Sequence, residues 1–65
     1  MSWVLRADEW EREGDEVVVR SDMDFHRLLG EAAATWLRLA AGKSPKRGQA
    51  ELAAQLEALG LVERR

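Results

Sequence analysis

The 65-residue chain contains no cysteine and only one proline and one histidine. The missing cysteine excludes disulfides and thiolate metal sites, so a chain this short must be held by packing or by association. A single core of this size supplies no more than about 3 to 5 kcal/mol without such staples. No stretch approaches the length of a membrane span, and the opening MSWVLRADEW lacks the basic head and apolar run of a secretion signal. There is no internal repeat or low-complexity linker. The expectation is one cytoplasmic domain over residues 1–65, without cofactor and without membrane contact.

Charge is present but uneven. Residues 1–31 hold nine acidic and four basic side chains (net −5), and residues 32–65 hold three acidic and six basic (net +3), giving −2 in all. Such a distribution either solubilises the surface or steers a basic partner toward the acidic half.

Periodicity divides the chain. In DEWERE (8–13) Glu9, Glu11 and Glu13 fall on one face of an extended segment and Trp10 and Arg12 on the other, the pattern of an edge strand. Gly14-Asp15 is a turn signal, and EVVVR (16–20) follows as the strongest strand, so the two form a hairpin. A second turn at Ser21 to Asp24 leads to a short third strand, Phe25 to Leu29. From Gly30 the period becomes helical: Leu29, Ala32, Ala33, Trp36, Leu39 and Ala40 share a stripe, and Gly42 ends it. KSPKRG (43–48) is a loop. A second helix spans Gln49 to Leu59, with Leu52, Leu56 and Leu59 on one stripe and Gly60 as its cap. Leu61 and Val62 fold back onto the core. The fold class is therefore α+β, a three-stranded antiparallel sheet followed by two helices.

Several residue groups invite chemistry and are better explained without it. His26 stands alone, without a cysteine, second histidine or base beside it, and reads as a strand residue. Asp15, Glu16, Asp22 and Asp24 lack the later ligands and glycine of a calcium loop, and turn formation accounts for the aspartates. Gly42-Lys43-Ser44 has the letters of a phosphate loop's end but follows a helix instead of a strand. No serine, acid or lysine has a visible partner set for catalysis, so no enzymatic activity is expected. Trp36 belongs to the core. Trp3 and Trp10 either cover the sheet or form an interface.

The strand hairpin, the short strand ending in Leu28, the small residues Ala32 and Ala33, Trp36, Leu39 and Gly42, and the closing Leu56, Leu59, Gly60, Leu61 and Val62 resemble the PqqD-like family. These are small peptide chaperones, the recognition elements of ribosomally synthesised and post-translationally modified peptides. The resemblance spans nearly the whole chain. It implies a winged helix-turn-helix-like fold that binds the leader segment of a precursor peptide and presents it to a modifying enzyme. The leader would add as a strand beside the third strand and lie against the last helix. Carried over by position, Asp24, Phe25, His26, Arg27 and Leu28 would form one wall, and Gln49, Leu52, Gln55 and Leu56 the other. Two departures stand out: Leu29 replaces the family's usual polar cap of the first helix, and KSPKRG is too short for the helix that fuller members carry in the middle.

That shortened middle leads to the expectation of exposed apolar surface near Trp36, Leu39 and Leu56, covered by a homodimer or by the enzyme. Two other function classes compete. One is a scaffold subunit that docks on a protein without recognising peptide. The other is a DNA-binding regulator, disfavoured because the second helix presents Gln49, Glu51, Gln55 and Glu57 and only Lys43, Lys46 and Arg47 could meet phosphates. No nucleic acid is expected as a partner.

Overall fold

Two tight turns build the larger sheet. The computed structural model describes residues 2–65. Strands β2 (Glu9–Glu13) and β3 (Glu16–Ser21) are joined by Gly14-Asp15, where Gly14 takes the positive φ of 62° that the turn requires. Strand β4 (Asp24–Leu28) follows through Asp22-Met23, and the antiparallel order is β2-β3-β4. Asp22 carries the positive φ of 54°, and its amide donates to the Asp8 carboxylate at 2.8 Å, which ties this turn to the start of β2. In β3 the alternation sends Val17 and Val19 into the core, both fully buried, with Val18 on the opposite face.

Helix α1 (Glu31–Ala40) packs on β3 and buries Ala33, Thr35, Trp36 and Leu39. Thr35 satisfies its hydroxyl by donating to the Glu31 carbonyl at 2.7 Å. Gly30 precedes the helix at φ 56°, ψ −128° and no side chain caps its first turn, as the apolar Leu29 foretold. That backbone bend carries Leu29 off the helical stripe, leaving it 55% exposed. A 3-10 turn (Arg47–Gln49) feeds α2 (Ala50–Ala58), so the second helical segment has a tighter first turn than its periodicity predicts.

Both helices stop in the same way. After α1 the Lys43 amide reaches the Arg38 carbonyl and the Gly42 amide the Leu39 carbonyl; after α2 Leu61 reaches Leu56 and Gly60 reaches Glu57. These are paired Schellman closures, with Gly42 at φ 79° and Gly60 at φ 77°.

A second sheet was not apparent from the sequence pattern. Strand β1 (Trp3–Leu5) pairs antiparallel with β5 (Val62–Arg64), and Ser2 and Arg65 exchange main-chain bonds at 2.8 Å in both directions. Trp3 faces Arg64, whose guanidinium sits 4.8 Å from the ring centroid. Glu63 accepts bonds from Arg6 and Arg65, and these hold its carboxyl below the usual carboxylate range, the Arg6 bond contributing most.

This second sheet decides the fate of the predicted apolar gap. Helix α1 packs on β1 and α2 on β5, so Trp36, Leu39 and Leu56 are 0%, 2% and 3% exposed. Leu61 and Val62 are buried beside them, as expected of a segment that folds back. The expectation of exposed surface at those three residues is therefore corrected. The radius of gyration, 10.6 Å, matches the ~11 Å of a compact chain of this length.

Candidate functional site: the free edge of the third strand of the larger sheet

The edge of β4 follows from hydrogen-bond phase. A two-residue hairpin is closed by a pair that exchanges both main-chain bonds, here Ser21 and Asp24, and the ladder alternates from there. His26 and Leu28, opposite Val19 and Val17, therefore turn their amides toward β3. Phe25 and Arg27 turn theirs outward. The other hairpin agrees: Glu13 and Glu16 close it, so Glu16, Val18 and Arg20 serve β2 while Val17, Val19 and Ser21 serve β4.

Side chains alternate with the same period. Phe25 and Arg27 stand on the outer face of the sheet, away from α1, and Phe25 is 72% exposed. Arg27 on β4 reaches Glu16 on β3 at 3.1 Å, and Arg20 on β3 reaches Glu9 on β2 at 3.0 Å. These exposed pairs contribute at most about 1 kcal/mol each, but they neutralise the cations around Phe25. A shallow depression lined by Glu9, Trp10, Glu11, Val18, Arg20 and Phe25 runs across this face.

Placement of the nine sequence-predicted residues is uneven. Asp24 to Leu28 lie together on β4, with Asp24, Phe25 and Arg27 exposed, His26 half-buried and Leu28 buried in the core. The other four lie on the 3-10 turn and α2, whose main packing partners are α1 and β5. Gln49 is 6% exposed and already engaged: its Oε1 accepts the Lys46 amide at 3.0 Å and its Nε2 donates to Glu31 at 3.3 Å. Leu56 is buried, Leu52 half-buried, and Gln55 exposed. Thus Leu52 and Gln55 alone of this second set keep surface to offer.

Sequence reasoning did not single out Met23, which is 95% exposed at the turn next to Phe25. Its signal was an apolar residue inside a polar turn. Trp10 lies on the inner face of β2, edge-on to Trp36 with ring centroids 6.0 Å apart, and so covers the core from the side. Among the described residues no cluster of histidine and carboxylate groups could hold a metal ion, and no helix is long and apolar enough to cross a membrane. No family model, curated protein or solved structure matches the chain.

Proposed function

We propose that this chain is a non-catalytic peptide-binding module of the PqqD-like kind, working in the cytoplasm, which takes the leader segment of a precursor peptide as a strand on β4 and presents it to a modifying enzyme. The observation that carries the reading is the free β4 edge, with two outward main-chain positions, Phe25 and Arg27, the first of which bears an exposed aromatic side chain. Strand addition draws affinity from main-chain bonds and selectivity from side-chain contacts. Here the contact for an apolar leader residue is Phe25, with Met23 beside it. A micromolar complex needs about 8 kcal/mol, within reach of a paired strand and one or two apolar contacts after ordering losses.

Calorimetry of the folded chain against precursor peptides read from the neighbouring genes tests this. The outward phase of the edge supplies the control: Arg27→Pro deletes an outward amide and should weaken binding at least tenfold while the fold persists, whereas His26→Pro deletes an amide that serves β3 and should unfold the sheet. Undetectable binding by the folded chain, alone and with the enzyme present, would reject the reading and favour a scaffold that docks without recognising peptide.

A further inference from the structure

Of the five large apolar side chains exposed among the described residues, Trp10 and Leu59 lie apart and the other three fall on one row. Met23, Phe25 and Leu29, at 95%, 72% and 55% exposure, recur at odd positions along β4 and its two flanks. The fourth odd position is Arg27, whose charge is neutralised by Glu16 at 3.1 Å. From this row we infer that β4 pairs antiparallel with β4 of a second copy of this chain, about a twofold axis at His26.

The register is not a free choice. Only Phe25 and Arg27 point their main-chain groups outward, so a symmetric pair must bring outward positions opposite one another. Centring on Arg27 would set two arginines face to face, and centring on Phe25 would leave Leu29 without a counterpart. Centring on His26 places Phe25 opposite Arg27 of the second copy, twice, and forms four main-chain bonds. The same register brings the Met23 turn of each copy to the end of β4 where Leu29 of the second copy emerges, so the apolar members of the row gather at one interface. Phe25 meets a guanidinium already held by Glu16, an arrangement suited to stacking. The two Arg27 side chains fall on a diagonal, and Glu16 in each copy offsets their repulsion.

Size sets the strength. A five-residue edge is roughly 17 Å long, and one strand pairing buries less than the ~1,200 Å² of stable interfaces. The dimer is therefore a weak and reversible one, forming between tens of micromolar and millimolar. It goes beyond the peptide reading and stands without it, since no peptide enters the experiment.

The absence of native cysteine makes single-thiol cross-linking a clean test. Residue 26 lies opposite its own counterpart in a non-hydrogen-bonded pair, where Cα atoms approach to about 4.5 Å, within disulfide reach. Residue 24 lies opposite residue 28, roughly 13 Å from its own counterpart. Under mild oxidation His26→Cys should form disulfide dimer at least tenfold faster than Asp24→Cys. Random collision predicts the reverse order, because Asp24 is exposed and His26 half-buried. Sedimentation of the unaltered chain should show mass rising toward the dimer up to 1 mM, and Phe25→Glu should return it to monomer. Cross-linking of Asp24→Cys as fast as His26→Cys, or a strictly monomeric unaltered chain at 1 mM, overturns the inference.

Discussion

The Trp36 indole is fully buried while its Nε1–H finds no acceptor, so two opposing effects meet in one side chain. Its bulk belongs to the same buried cluster as Val17, Val19 and Ala33. Truncation to alanine should cost about 3 to 5 kcal/mol, comparable with the whole stability of a domain this small. The unpartnered donor works the other way, since leaving such a group without a bond costs about 1 to 3 kcal/mol. Trp36→Phe keeps an aromatic edge for Trp10 and removes the orphaned donor, so its loss should stay below about 2 kcal/mol. Urea unfolding of the two variants checks this. A Phe variant as damaged as the Ala variant would mean that the indole N–H is satisfied after all.

At the scale of elements, the glycine after α2 does more than end a helix. Gly60 holds φ 77° and releases the chain into Leu61 and Val62, which are buried and begin the strand that pairs with β1. A Cβ at Gly60 would meet no atom within 4 Å, so substitution acts through backbone conformation alone. Gly60→Ala should lower stability by about 1 to 2 kcal/mol, and Gly60→Asn by less, because asparagine tolerates the left-handed region better. Thermal melts of both variants measure the difference; equal losses would point to a packing effect. That both helices end at glycine was legible, because an apolar stripe followed by Gly, at Gly42 and at Gly60, has a local cause. The hairpins were legible for the same reason, in Gly14-Asp15 and the valine run. The β1–β5 sheet was not. Each of its strands is three residues long, too short to display a period, and their pairing joins positions near opposite ends of the chain. It was this unseen sheet that covered Trp36, Leu39 and Leu56.

On the scale of the whole molecule, the same division governs the site. The edge position of β4 could be read ahead of the structure because a strand after two hairpin turns lies at a sheet edge, whereas its role as a peptide wall is what the resemblance implies. The α2 wall could not, since the burial of Gln49 depends on Glu31, eighteen residues earlier and on another helix. The β4 edge thus has two proposed occupants, a leader strand and a second copy of the chain, which need the same Phe25 and Arg27 main-chain groups. Binding of one must then exclude the other. Adding a saturating leader peptide to the chain at a concentration where dimer is populated should restore the monomer mass plus one peptide. Reciprocally, apparent peptide affinity should fall as chain concentration rises, because part of the edge is already paired. The His26→Cys dimer, locked by its disulfide, should bind no peptide, and the same variant should bind it once reduced. Sedimentation with labelled peptide reads all three outcomes. A complex of two chains with bound peptide, at unchanged dimer affinity, would place the peptide away from β4 while leaving the paired edges intact.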